Sequence, residues 1–161
     1  MAQDNEWYDV VVMPALLRGA RGTYGSAIRS ALAHAEITDM PRNGPFLLGA
    51  IARNGTPLSE VITYLGLSKQ RAGQLVDALV DRGYLARDLD PADRRRTTVT
   101  LTERGKLAAN VGRKAVEQVD AALAARVGAQ TVSRARAVLG ALTELGEAEQ
   151  GSPGAGRLAR G

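Results

Sequence analysis

The chain has 161 residues, 45% of them hydrophobic but only 4% aromatic, and 21 basic against 17 acidic side chains leave a net charge of +4. That length holds one domain, or one domain with appended helices, and the small aliphatic composition favours closely packed helices. The sequence contains no cysteine, which excludes disulfides, thiolate metal sites and cysteine-based peroxide sensing, and fits a reducing cytoplasm.

The opening MAQDNEW is acidic and lacks the basic-then-apolar layout of a signal peptide. No run approaches the roughly 18 apolar residues of a membrane span. From about Glu6 to Ala35, Val10, Met13, Leu17, Ala20, Tyr24, Ala27, Ile28, Ala31 and Leu32 recur at helical spacing. Pro14 belongs either in the first turn of this helix or at a kink within a longer one. Residues 37–44 form a connector punctuated by Asp39-Met40-Pro41 and Asn43-Gly44-Pro45. A short helix follows, with Phe46, Leu47, Ala50 and Ile51 on its apolar side.

Thr56 can cap a helix whose first position is Pro57, where a missing N–H costs nothing. Leu58, Val61, Ile62 and Leu65 give its buried face, and Gly66 suits the left-handed position that ends a helix. Ser68 caps the next helix, whose stripe is Ala72, Leu75, Val76 and Leu79 and whose end is Gly83. Two helices joined by so short a turn cross steeply, as in a helix-turn-helix. Lys69, Gln70, Arg71 and Gln74 lie on the outer face of the second one. Cations near a helix N-terminus oppose the helix dipole, so an anion there would explain them. Arginine and lysine can donate to guanine, and glutamine can pair with adenine. Taken alone, this face reads equally well as a solvated helix end.

The following stretch shifts that balance. Tyr84 to Arg87 is strand-compatible, and Thr97 to Leu101 alternates, with Val99 and Leu101 on one face. Asp90-Pro91-Ala92-Asp93 between them is turn chemistry. Arg94, Arg95 and Arg96 come next, and Asp93 can hold one guanidinium through a bidentate pair. A hairpin tip that projects three arginines suits a narrow minor groove, where the negative potential is deepest. Thr102 then caps a long helix to about Val127, with Leu107, Val111, Val116, Val119 and Leu123 expected on its buried side. Gly128 breaks it. A last helix from about Gln130 to Glu149 carries Val132, Ala135, Val138, Leu139, Leu142 and Leu145. A lone subunit leaves these faces short of partners, so they fit either a homodimer built from both ends of the chain or an intramolecular bundle. The tail, 150–161, is rich in Gly, Ser and Pro and is expected to be disordered.

Leu65-Gly66-Leu67-Ser68, Leu75-Val76-Asp77-Ala78-Leu79, Arg82-Gly83-Tyr84-Leu85, Asp90-Pro91-Ala92-Asp93-Arg94-Arg95, Val99-Thr100-Leu101-Thr102 and Gly105 together resemble the winged helix-turn-helix of the multiple antibiotic resistance regulator (MarR) family. The resemblance implies a mainly α fold with a small β-hairpin wing, a winged helix-turn-helix domain flanked by N- and C-terminal dimerisation helices. The expected division is 1–36 for the N-terminal dimerisation helix, 37–104 for the DNA-binding lobe, 105–149 for the C-terminal dimerisation helices and 150–161 for the tail. It further implies a dimeric, ligand-responsive transcription regulator, by default a repressor, on double-stranded DNA. Ser68, Lys69, Gln70, Arg71 and Gln74 would belong to a recognition helix, 69–82, in the major groove. Asp93, Arg94, Arg95 and Arg96 would form the tip of a wing, 88–97, in the minor groove.

Trp7, Arg21, Tyr24 and Phe46 are candidates for an effector pocket, although Trp7 and Tyr24 read better as dimer-core residues. The effector's identity is not legible. His34 with Glu36 and Asp39 could supply part of a metal site, but one histidine is too few for the usual ligand set, so no metal or other cofactor is expected. No serine, threonine or carboxylate pattern forms a nucleophile or acid–base motif, so an enzyme is not expected. Two other readings are a non-specific architectural DNA binder and a winged-helix protein-interaction module.

Overall fold

The computed structural model describes residues 7–53, 62, 65–89 and 97–150. Its elements are a 3-10 turn at Trp7–Val10, then α1 (Met13–His34), α2 (Gly44–Ala52), α3 (Lys69–Asp81), β1 (Leu85–Leu89), β2 (Thr97–Leu101), α4 (Glu103–Val127) and α5 (Ala129–Gln150). The fold is thus mainly helical with one two-stranded antiparallel hairpin. The first helix of the expected helix-turn-helix, from Thr56, falls mostly outside the described residues.

Pro14 settles into the first turn of α1, where the lost donor has no helical partner to disappoint. The helix therefore starts at Met13, later than the apolar pattern suggested. Val10 and Met13, assigned to the buried stripe, are exposed; the buried part is Ile28 and Leu32. In α2, Leu47 and Leu48 are the fully buried pair, while Phe46, Ala50 and Ile51 pack half-buried against the core.

One closing pattern recurs three times among the described residues, at the ends of α1 and α3 and before Leu67. The N–H of Leu67 reaches the Ile62 carbonyl at 3.2 Å, Tyr84 reaches Leu79 at 2.8 Å, and Ile37 reaches Leu32 at 2.9 Å. Each bond encloses a residue with positive φ: Gly66 at 62°, Gly83 at 71° and Glu36 at 58°. This is the Schellman arrangement, which satisfies carbonyls left over at a helix end. Glycine takes the left-handed position without strain, whereas Glu36 carries a side chain into it.

The α3 stripe is as expected: Ala72, Leu75, Val76 and Leu79 are buried. β1 runs two residues past the expected Arg87 to Leu89, in the register Leu85↔Leu101, Arg87↔Val99 and Leu89↔Thr97. Val99 and Leu101 pack onto the core. The hairpin thus joins the lobe by one face.

α4 is the spine, touching α1, α2, β2 and α5. Here the expected face is corrected. Leu107 is 54% exposed and Leu123 39%, whereas Gly105, Ala108, Ala109, Gly112 and Ala115 are buried. The reason is proximity: a methyl added at Gly112 would already touch Ile28 of α1 and Pro45 of α2, and Val111 and Val116 pack beside the small residues. Gly105 marks the extreme, since a methyl there would strike the Tyr84 carbonyl oxygen. α5 packs on α4, with Val138, Leu139, Leu142 and Leu145 exposed.

Candidate nucleic-acid interface

Ser68 is extended, and its Oγ accepts from the Arg71 N–H at 3.3 Å, so the cap read from sequence starts α3. With the apolar stripe turned inward, Lys69, Gln70, Arg71 and Gln74 are all exposed on the other side. No Asp or Glu occurs between Ser68 and Val76. The next carboxylate, Asp77, is held back by an ion pair with Arg87 of β1. That contact ties the helix to the wing strand and clears negative charge from the exposed face. Among the described residues no carboxylate pairs with Lys69 or Arg71.

The wing is anchored at its base. Thr100 donates to the Asp88 carboxylate at 2.6 Å, and Thr98 donates to the Asp88 carbonyl at 3.3 Å. Leu89 and Thr97 are still paired, so residues 90–96 connect two strands whose ends are fixed. The predicted wing-tip residues Asp93, Arg94, Arg95 and Arg96 lie outside the described residues.

At the junction of connector, α3 and α4 sits a cluster that sequence reasoning missed. The Tyr84 hydroxyl donates to Asp39 Oδ1. Arg104 donates to the same oxygen at 2.9 Å and, through its other terminal nitrogen, to the Arg82 carbonyl. Its guanidinium carbon stands 4.3 Å from the centre of the Tyr84 ring. Tyr84 is fully buried, and burial first, then the bond to Asp39, pushes its phenol up to about 12. The Tyr84 hydroxyl is also the main cause that holds the Asp39 carboxyl below its usual range, with Arg104 adding to it. One signal was available: Arg104 is a cation in a helix first turn, the same anomaly that singled out Lys69 and Arg71.

The effector candidates separate into three places. The Arg21 guanidinium of α1 lies over the Phe46 ring of α2, 5.9 Å from its centre. Tyr24, one turn further, donates instead to Asp120 of α4 at 2.5 Å, and Arg136 of α5 donates to the other Asp120 oxygen at 2.6 Å. The bond to Asp120, foremost, raises the Tyr24 phenol above its ordinary value. Trp7 is 68% exposed and meets Tyr8 edge to face, with 5.8 Å between ring centres. His34 is exposed, with Nδ1 2.7 Å from the Ser30 carbonyl. Among the described residues no group of three potential metal ligands occurs, and no helix is long and apolar enough to cross a membrane.

Residues 38–96 match the family model described as the MarR family. No curated protein sequence matches the chain. Among solved structures, CouR from Rhodococcus jostii RHA1, bound to p-coumaroyl-CoA, is similar at 26% identity and a TM-score of 0.61, covering 79% of this chain and 88% of that one. A MarR family transcriptional regulator from Silicibacter pomeroyi DSS is similar at 24% identity and a TM-score of 0.64, covering 88% and 91%. BpsR from Bordetella bronchiseptica, whose DNA binding is regulated by 6-hydroxynicotinic acid, has the same fold at 21% identity and a TM-score of 0.61, covering 89% and 97%.

Proposed function

We propose, from the match of residues 38–96 to the MarR family model, that the chain is a dimeric, cytoplasmic, sequence-specific DNA-binding regulator, by default a repressor, whose operator affinity responds to a small molecule. The observation that carries this reading is the exposed first two turns of α3, cationic, amide-bearing and without a carboxylate. Lys69, Gln70, Arg71 and Gln74 enter the major groove and read base edges. Asp93 to Arg96 reach the adjacent minor groove, where Asp93 orients a guanidinium and the arginines meet the deepest negative potential. Phosphate contacts supply most of the affinity, and the base contacts supply the choice of sequence.

The exposed Leu139, Leu142 and Leu145 of α5 support a dimer, as do Val12 and Met13 at the other end of the chain. A second subunit related by a two-fold axis would cover these faces. It would also set two copies of α3 roughly 34–36 Å apart, so the operator is a pseudo-palindrome. The effector site is drawn around Arg21 and Phe46, where a cation and an aromatic face already meet at the α1–α2 junction; Tyr24, bonded to Asp120, and the exposed Trp7 stand apart from it. The aromatic acyl thioester bound by CouR is the model for ligand chemistry. A ligand there shifts the two lobes against each other, and a difference of about 1–3 kcal/mol between its affinities for the two states is enough to release DNA. No step in this mechanism calls for catalysis.

Selection from a random duplex library tests the reading. A two-fold motif that survives competition by random DNA is the expected result. Recovery of no preferred sequence, or a monomer by small-angle scattering, would refute it.

A further inference from the structure

We propose that Arg104 is a positioning residue: beside the Thr102 bonds that join the Gly83 and Tyr84 carbonyls to the spine helix, its guanidinium ties the C-terminal end of the recognition helix to the connector as well, and so fixes the pose of α3 on DNA. The inference rests on the DNA-reading function proposed above. Three chain segments far apart in sequence meet at this side chain. Arg104 lies in the first turn of α4. One of its nitrogens holds the carbonyl of Arg82, the residue that caps α3, and the other holds Asp39 at 2.9 Å. Tyr84 fills the space beneath, its ring against the guanidinium and its hydroxyl on the same Asp39 oxygen. Among the described residues the side-chain hydrogen bonds of the connector, 37–44, are the two at Asp39, from Tyr84 and from Arg104.

The charge balance explains the geometry. A cation in the first turn of α4 opposes that helix's dipole, and the two acceptors offset the cost. Arg104 and Asp39 are 46% and 41% exposed, so solvent screens the pair and its contribution to stability is small. Position, more than stability, is therefore what the contact supplies. A guanidinium is a planar fork with fixed donor directions. Any sliding of α4 against the connector must either drag the end of α3 with it or break one prong. The end of α3 is itself sensitive, because the Schellman bonds from Gly83 and Tyr84 at 2.9 and 2.8 Å are its last turn.

The test uses the full chain carrying Arg104→Gln, Arg104→Lys, Asp39→Asn or Asp39→Asn with Arg104→Gln, each checked for an unchanged oligomeric state and a cooperative melt well above the assay temperature. Hydrogen exchange at the Gly83 and Tyr84 amides is read without DNA. Affinity is read for the selected operator and for random duplex. Arg104→Gln is expected to speed exchange at those amides and weaken the operator complex about tenfold, leaving random-duplex affinity within about twofold, a coupling of ordinary size for a contact network. The double variant should be no worse than the worse single. Lysine keeps the charge but cannot span both acceptors, so Arg104→Lys should behave as Arg104→Gln. Wild-type behaviour of Arg104→Lys, additive losses in the double variant, or parallel losses on operator and random DNA would each overturn the inference. A wild-type protein that selects no duplex would overturn the DNA-reading premise and this inference with it, while altered exchange in Arg104→Gln would still register the clamp in the free protein.

Discussion

Gly105→Ala is the sharpest probe of how the spine meets the wing, because its outcome can be worked from neighbouring atoms. Gly105 sits in the first turn of α4, where its N–H donates to the capping Thr102 Oγ1 at 3.0 Å. An added methyl would collide with the Tyr84 carbonyl oxygen and come within 3.2 Å of Leu101 Cδ2. That carbonyl cannot simply retreat, since it accepts from the Thr102 N–H at 3.2 Å and from its hydroxyl at 3.1 Å. Overpacking of this kind costs about 1–3 kcal/mol, and a displaced hydrogen bond adds about 1 kcal/mol. Replacing glycine by alanine in a helix returns about 1 kcal/mol. The net expectation is a loss of about 1–3 kcal/mol. Gly112→Ala, two turns on and facing α1 and α2, is the control. Its methyl would find Ile28 Cγ2 at 3.8 Å and Pro45 Cβ at 3.9 Å, which is ordinary contact. That variant should therefore gain up to about 1 kcal/mol from helix propensity alone. Urea unfolding at matched protein concentration measures both, the match being needed because association adds to apparent stability. If the two variants shift stability by the same amount, the account of α4 packing by backbone proximity is wrong.

Four further outcomes are expected. Arg71→Ala should cost about 1–3 kcal/mol at one base position and relax preference there; an unchanged profile against a panel of mutated operators would exclude its base contact. Removing Arg94 and Arg95 together should weaken binding to all duplexes and flatten log affinity against log salt by about one unit for each arginine that no longer meets a phosphate; a retained slope would exclude the wing reading. The Asp39 carboxyl is held low by Tyr84 and then Arg104, so its stabilisation is present above the unfolded carboxylate value of about 3.9 and is lost as pH falls through the lower folded value. Thermal melts should show the wild type's advantage over Asp39→Asn shrinking below about pH 4, and a constant difference down to pH 2 would contradict the bond. Leu142→Glu, in the exposed apolar stripe of α5, should shift sedimentation toward monomer and abolish operator binding, whereas an unaltered dimer would move the interface elsewhere.

Some of the functional face was legible because it rests on side chains that point away from any partner. Lys69, Gln70, Arg71 and Gln74 needed only a helix of known phase, and the phase came from Ala72, Leu75, Val76 and Leu79. The Asp77–Arg87 and Asp39–Tyr84–Arg104 contacts were not legible. Each depends on where two separately formed elements come to rest, which spacing along one element does not encode. The effector candidates show the same limit: Arg21 and Phe46 meet, while Tyr24 is claimed by Asp120.

Local chemistry by itself determined where the elements begin and stop: Ser68 and Thr102 as caps, Gly66 and Gly83 as left-handed ends, and the alternation that made β2 a strand with Val99 and Leu101 inward. These choices involve atoms a few residues apart, so the order of side chains is sufficient. Tertiary contact decided the rest. It placed Glu36 in a conformation its type disfavours because Ile37 had to turn inward, and it buried Gly105, Ala108, Gly112 and Ala115 in place of Leu107 and Leu123. A helix carries more than one face that could be buried, and only the neighbour's distance selects between a leucine and a bare backbone.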